Sequence, residues 1–371
     1  MPTITIFPTQ FAYAENRIIV RIFDDSPNFK YFTYTVGGEV FEAMRDANNE
    51  AYIDIAPLLR ASFDLDSYPM PTLPPTIQPN NNQQQIIRNY TLLIESVMDT
   101  IPNETTSFQG WAVMGGLADW EIASDASLVY FLPALQPFVT KIVTPNSLEF
   151  ITFSNTALPS TPAPNLVALD YWLYDEVGAE ILAGSIDVDF VEKGKTTLID
   201  VSYSRLAADA TMPVFSYKVR LHVLQTIDYY SQFYYYKVDN AYYPETTEIL
   251  YINPRGGLSS IVLTGNRVDG LEVNRIIVDK KAPLYASPIA PRRQSIIANQ
   301  TASFTVGTGF FEAWTGEFER VKDLFGAKML WERRGDNLVP IVATDKKMDT
   351  RKTPDAQLVS EQLEFTYAIK M

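Results

Sequence analysis

Cysteine is absent from this 371-residue sequence, and histidine occurs once, at position 222. The first absence excludes disulfides, thiolate zinc sites, iron–sulfur clusters and a cysteine nucleophile. The second leaves any Ser-His-Asp arrangement or histidine metal site dependent on His222 alone. That residue falls on the polar side of a predicted strand, between Arg220 and Leu224, with no nucleophile-elbow context. No apolar run approaches the roughly 18–20 residues of a membrane-spanning helix, so no membrane span is expected. The opening Met-Pro-Thr-Ile-Thr-Ile-Phe has neither a basic region nor a long apolar one. Synthesis and folding in the cytoplasm are the expectation.

Positive charge is in deficit. Thirty Lys and Arg against 44 Asp and Glu give a formal charge of −14, which opposes a general grip on phosphate backbones. Nucleic acid is therefore not an expected partner, and the basic steps Arg292-Arg293 and Lys346-Lys347 read as solvated loops. Gly307-Thr308-Gly309 is too short for a phosphate cradle and lacks the lysine of a P-loop. No loop spaces Asp or Asn with a terminal Glu as calcium requires. Neighbouring carboxylates at Asp64 and Asp66, Asp187 and Asp189, or Glu317 and Glu319 are the candidates for glycoside hydrolysis. Alternating acids on a strand more simply form its wet face. No catalytic, metal or cofactor-binding residue is assigned, and the expectation is a protein that is not an enzyme and carries no cofactor.

What the chain does have is aromatic and β-branched residues. Aromatics make up 13%, including 21 Tyr and 21 Phe, which favours strands and contact-making faces over helical bundles. Hydrophobic residues at 46% and charged residues at 20% exclude wholesale disorder. The length suggests two or three domains. An aromatic-rich β chain without export signal or disulfides fits a virion component assembled inside a cell and released by lysis. It fits an ordinary cytoplasmic β protein as well.

The predicted fold class is mainly β: tandem β-sandwich-like domains with one amphipathic helix in the C-terminal domain. Residues 1–145 form an N-terminal sandwich, with a Pro/Asn/Gln-rich insertion near 65–108. Residues 146–245 form a second β domain and 246–371 a third, with the helix near 309–326. Ile18, Val20 and Ile22 put an apolar row on one face of an early strand. Glu39 to Arg45 stays open between strand and helical turn. Leu166 to Tyr174 reads as a strand buried on both faces, and Lys193-Gly194-Lys195 fits a hairpin between Glu180–Phe190 and Thr196–Val201. Phe215, Tyr217, Val219, Leu221 and Val223 face one way, and Ser216, Lys218, Arg220 and His222 the other. Phe311, Trp314, Phe318, Val321 and Phe325 recur at helical spacing.

Two features stand out. Ile249–Ile252 and Leu258–Leu263 flank the turn Asn253-Pro254-Arg255-Gly256-Gly257. Pro254 restricts itself and Asn253, while Gly256 and Gly257 permit the positive φ that such a reversal uses, so the two strands must be neighbours. Just before it come Tyr229, Tyr230, Tyr234, Tyr235, Tyr236, Tyr242 and Tyr243. They are the candidate contact surface, because tyrosine brings apolar area with a polar tip. Sheet packing, protein contact and sugar stacking all remain open to them.

Several stretches together resemble structural tail proteins from phages and prophages of Bacteroidota hosts. They are Glu15-Asn16-Arg17-Ile18-Ile19-Val20, the Phe131 to Phe153 passage with Pro137 and Pro145, Tyr251 to Gly257, Leu338-Val339-Pro340-Ile341-Val342 and Leu363 to Ala368. The resemblance implies a β-rich virion protein of the distal tail or baseplate, without catalytic residues, assembled in the host cytoplasm. Its partners would be itself in a symmetric ring and other tail proteins. The alternative is a host-surface adhesion module that binds glycan on its tyrosine-rich face. The Pro/Asn/Gln insertion and Pro254 depart from the family pattern.

Overall fold

The structure, a computed structural model, describes residues 2–6, 11–26, 28–63, 87–99, 102–116, 131–132, 140–154, 166–188, 196–224, 229–279, 293–312, 316–344 and 358–368. Residues 65–86 of the Pro/Asn/Gln-rich insertion, Arg292 and the Lys346-Lys347 step lie outside them. The chain divides into two compact units, Met1–Asn240 with Ile252–Ser260, and Ala241–Tyr251 with Ile261–Met371.

The first unit opens with β1 (Thr3–Ile6), β2 (Phe11–Tyr13), β3 (Ile19–Phe23), β4 (Phe29–Val36), β5 (Glu39–Met44) and β6 (Glu50–Asp54), then the short helix α1 (Ala56–Ala61), β7 (Ile87–Met98) and β8 (Glu104–Val113). These make a three-stranded sheet, β1-β3-β6, and a five-stranded sheet, β2-β8-β7-β4-β5. Ile18, Val20 and Ile22 from one side meet Phe32, Leu92 and Ile94 from the other in one buried core. The stretch Glu39–Met44 is a strand and not a helical turn. Gly37 and Gly38 both take positive φ, 64° and 91°, and such a two-residue turn folds β5 straight back on β4.

The unit continues with β9 (Phe131–Leu132), β10 (Thr140–Val143), β11 (Phe150–Ser154), β12 (Leu166–Tyr174), β13 (Glu180–Val188), β14 (Thr196–Asp200), helix α2 (Tyr203–Leu206), β15 (Ser216–Leu224), β16 (Tyr229–Tyr230) and β17 (Tyr234–Val238). A sheet ordered β10-β17-β15-β12-β13, with β16 added to β15, packs on the sheet β14-β11-β9. Ile151, Phe153 and Ile199 lie against Val167, Leu169, Val219 and Leu221. Two expectations are corrected. β13 pairs with β12 while β14 pairs with β11, so these two strands lie in different sheets and are not hairpin partners; Lys193-Gly194-Lys195 itself lies outside the described residues. β12 buries Val167, Leu169 and Leu173, but Asp170, Trp172 and Tyr174 on its other face are only half-buried.

The remaining strands are β18 (Thr247–Ile252), β19 (Leu258–Leu263), β20 (Arg267–Asp279), β21 (Arg293–Gly307), β22 (Phe311–Glu312), helix α3 (Gly316–Gly326), β23 (Leu330–Arg334), β24 (Asn337–Ala343), β25 (Leu358–Val359) and β26 (Gln362–Tyr367). Seven of them form one sheet, β19-β18-β23-β24-β26-β21-β20, and β22 pairs with β25. Val321 and Leu324 of α3 join Phe304, Leu363 and Phe365 of the sheet in a third core. The helix is shorter than its apolar stripe predicts, because Phe311 is taken by β22. Gly316 thereby opens the helix instead of interrupting it, which avoids most of its propensity cost.

Candidate functional site

The turn Asn253 to Gly257 is held by one side chain. Asn253 Oδ1 accepts from Arg255 N at 2.9 Å and Gly257 N at 3.1 Å, and Nδ2 donates to Ser259 Oγ at 3.0 Å. Its backbone N–H donates to Gly257 O at 2.8 Å, and its carbonyl accepts from Gly256 N at 2.9 Å. Gly256 alone of the two glycines has positive φ, 87°. Pro254 O accepts from Gly116 N at 2.7 Å, and Leu258 N donates to Thr152 Oγ1 at 3.1 Å. Asn253, Pro254, Gly256 and Gly257 thus have a structural task, as their sequence suggests.

The tyrosines separate according to strand periodicity. Along β17, Tyr234 and Tyr236 turn inward, at 8% and 4% exposure, while Tyr235 turns outward at 40%. Tyr236 stacks on Tyr217 at 4.6 Å inside the core. Burial raises the pKa of Tyr217 on β15 and of Tyr234 on β17 well above the ordinary phenol value. Tyr230 on β16 is 45% exposed. The side chain of Tyr229 lies outside the described set, and Tyr242 and Tyr243 fall in the segment that groups with the second unit. Of the candidate tyrosines with described side chains in the first unit, Tyr230 and Tyr235 therefore face outward.

Around these two the outer face of the sheet gathers residues from four strands. Register puts Asp170 opposite Arg220 and Trp172 opposite Lys218 between β12 and β15. It puts Lys218 opposite Tyr235 on β17, and His222 opposite Tyr230 on β16. Phe233, just before β17, meets Trp172 edge-on with ring centroids 5.6 Å apart, and Tyr235 at 6.3 Å. Cations fill the spaces between rings. Lys218 Nζ is 5.0 Å from both the Trp172 and Phe233 centroids, and the Arg220 guanidinium is 4.2 Å from Tyr230 and 5.3 Å from Phe233. Asp170 Oδ2 accepts from Arg220 Nε at 3.1 Å and faces His222 Nδ1 at 3.1 Å.

Among the described residues the partners of His222 are Asp170 and the Tyr230 ring. Asp187 is exposed on β13; Asp64, Asp66 and Asp189, and the side chains of Glu317 and Glu319, lie outside the described set. Trp172 and Phe233 were not among the sequence-level candidates. Their grouping depends on the pairing of β12, β15 and β17, and the only local signal was the polar alternation of Lys218, Arg220 and His222. Among the described residues no helix is long and apolar enough to cross a membrane.

The fold and this face together define a β-sandwich protein with an aromatic–cation surface. No family model and no curated protein matches the chain. Among solved structures it is similar to fibronectin(III)-like modules of Clostridium thermocellum CbhA, at 13% identity over 65% of this chain and 94% of that one, with a TM-score of 0.20. It is also similar to a 1.5-MDa bacterial ice-binding adhesin studied for host cell surface retention, at 10% identity over 99% and 97%, TM-score 0.20. A third is SGBP-B of the Bacteroides ovatus mixed-linkage glucan utilization locus, at 14% identity over 82% and 64%, TM-score 0.18. Similarity at these TM-scores carries no inference about function.

Proposed function

We propose that this chain is a structural assembly protein that works by seating protein partners on its β domains, as a component of a phage tail or baseplate. The observation that carries the contact reading is the outer face built by Trp172, Phe233, Tyr230, Tyr235, Lys218 and Arg220. Trp, Tyr and Arg are the residue types that dominate binding energy at protein interfaces. Here they are held rigid by a pleated sheet and by one another, so little side-chain freedom remains to be lost on binding. The placement in a tail draws on the resemblance of the N-terminal strand, the Asn253 turn and the C-terminal strand to Bacteroidota phage tail proteins. On this reading the chain is not an enzyme and acts in the virion after assembly in the host cytoplasm.

Glycan binding, the competing reading, uses the same face differently. A sugar stacks on an open ring face, whereas Lys218 and Arg220 already lie over Trp172, Phe233 and Tyr230. Protein contact is favoured because it can use ring edges and guanidinium donors together. The test co-expresses the full chain with the proteins encoded beside it and measures complexes by native mass spectrometry. Trp172→Ala and Arg220→Ala should each abolish or sharply weaken a complex that forms with the unaltered chain, while thermal melts show the fold retained. Complexes indifferent to both substitutions would overturn the role of this face. Retardation in polysaccharide gels that the same substitutions remove would favour the glycan reading.

A further inference from the structure

The longest strand pair among the described residues leaves its sheet. β21 pairs with β26 only over Ser303–Gly307, but with β20 from Val306 back to Arg293. Among the described residues the β20–β21 pair therefore runs on beyond Ser303 as a two-stranded ribbon, for roughly 30 Å at about 3.3 Å per residue. Its base is firmly set. Arg267 donates to the buried Glu332 at 2.5 Å and lies over the Phe304 ring at 4.3 Å. Further out, Val268, Leu271 and Ile277 are 67%, 59% and 61% exposed. A two-stranded ribbon is marginal in water by itself, and a long edge strand with exposed apolar residues is a template for another strand. β20 is the terminal strand of the seven-stranded sheet, whereas β19 at the other end is buried at every residue but the half-buried Val262.

We propose that β20 pairs antiparallel with β20 of a second copy of this chain about a twofold axis at Glu272. The sequence of the strand is self-complementary in that register. Asp269, Leu271, Val273 and Arg275 share one face of the ribbon, opposite Phe304, Ala302, Gln300 and Ala298 of β21. Across the dyad, Asp269 of each copy meets Arg275 of the other, and Leu271 meets Val273. The result is two salt bridges flanking two apolar pairs, on the face that continues the buried core side of the sheet. Asp269 and Arg275 are both exposed and available to such a contact, although Asp269 also pairs with Arg267 at 2.9 Å. The other face carries one opposing feature, Glu272 against its own copy on the axis, and like charges directly opposite weaken a strand pair. A twofold edge contact is isologous and closes on itself, so it yields a defined dimer that can serve as a building unit of a larger ring.

The contact belongs to the second unit and stands or falls independently of the aromatic face. The experiment uses the full chain, with native mass spectrometry and sedimentation over a concentration series. A concentration-dependent dimer is expected. Arg275→Asp, which sets like charges against Asp269 twice, should raise the dimer Kd about tenfold, and Glu272→Gln should tighten it about threefold. Trp172→Ala should leave it unchanged. A chain that stays monomeric throughout the series would overturn the proposal, and so would a dimer whose Kd ignores both Arg275→Asp and Glu272→Gln. Because Glu272→Gln is expected to strengthen association, a folding defect cannot imitate its effect.

Discussion

Gly115 and Gly256 meet back to back, each in the left-handed region at φ 107° and 87°, with no room for a side chain on either. A Cβ on Gly256 would lie 2.0 Å from Met114 O, and one on Gly115 would lie 2.3 Å from the Arg255 carbonyl carbon. Both the torsion and the backbone on the far side forbid substitution. Gly256→Ala is therefore expected to cost about 3 kcal/mol or more, combining left-handed strain with displacement of packed backbone. Gly178 has a similar φ of 82° but nothing within 4 Å of its Cβ position, so Gly178→Ala should cost only about 1 kcal/mol. Urea denaturation of the two variants checks this, and equal costs would show that torsion alone matters at Gly256.

Close to that turn, an ion pair is buried on both sides. Lys141 Nζ bonds Glu149 Oε2, with the two side chains 3% and 1% exposed, and Ser260 Oγ donates to Glu149 Oε1 at 2.9 Å. Removing one partner leaves the other charged in a site shielded from solvent. Lys141→Met should cost about 3–5 kcal/mol, and adding Glu149→Leu should recover most of the loss, since an apolar pair of similar volume avoids desolvation altogether. Denaturation midpoints for the single and double variants give the answer; a double variant no better than the single would mean that the pair contributes net stability.

How much of this was legible in the sequence depends on how local each signal is. Ile18, Val20 and Ile22, and Tyr217, Val219 and Leu221, are all buried as their two-residue periods require. The hairpin at Asn253 was visible because Pro and Gly act on their own torsions. Tyrosine was not legible in the same way. A phenol ring suits a core as well as a surface, so nothing in Tyr234-Tyr235-Tyr236 says which of the three faces out. Trp172 read as buried because indole is apolar. Only its pairing with Lys218, a partner 46 positions away by the register of β12 and β15, sets it on an outer face. The crossing from β13 to β14 was missed for a related reason: a short Gly-containing link permits a hairpin, but the edge available to each strand is decided by the whole sheet.

Acid should act on this fold through opposing carboxylates. Burial would raise the pKa of Asp24, but donors at Ser26 and Ser96 outweigh it and hold the group below the ordinary aspartate value. Asp54 is likewise lowered, against the burial effect, by Ile18 N at 3.0 Å, Ala56 N at 3.1 Å and Arg17. Groups depressed in the folded state contribute stability above their unfolded pKa and lose it as pH falls through the folded value. Asp200 behaves oppositely. Burial raises it despite its Ser202 donors, so its contribution is present at low pH and lost as pH rises through the raised value. Urea midpoints followed from about pH 5 to 3 should fall, less steeply in Asp24→Asn and Asp54→Asn and more steeply in Asp200→Asn. Parallel curves for all four proteins would refute the assignment.

Asp170 decides how the aromatic face presents its cations. One oxygen, Oδ2, receives Arg220 Nε and faces His222 Nδ1, each at 3.1 Å, while the guanidinium lies 4.2 Å from Tyr230 and 5.5 Å from Trp172. The carboxylate thus fixes the plane of a group that could otherwise rotate over several rings. Asp170→Ala should cost about 1–2 kcal/mol in stability, since the site is half-buried and the lost bonds are charge-assisted. Arg220→Lys keeps the charge but loses the planar fork that reaches Asp170 and a ring at once, so it should weaken partner binding nearly as much as Arg220→Ala. Lys218→Arg keeps a cation between Trp172 and Phe233 and should be tolerated. Binding that follows net charge alone, with Arg220→Lys equal to the unaltered chain, would show that the face works as a simple positive patch and that its geometry is incidental.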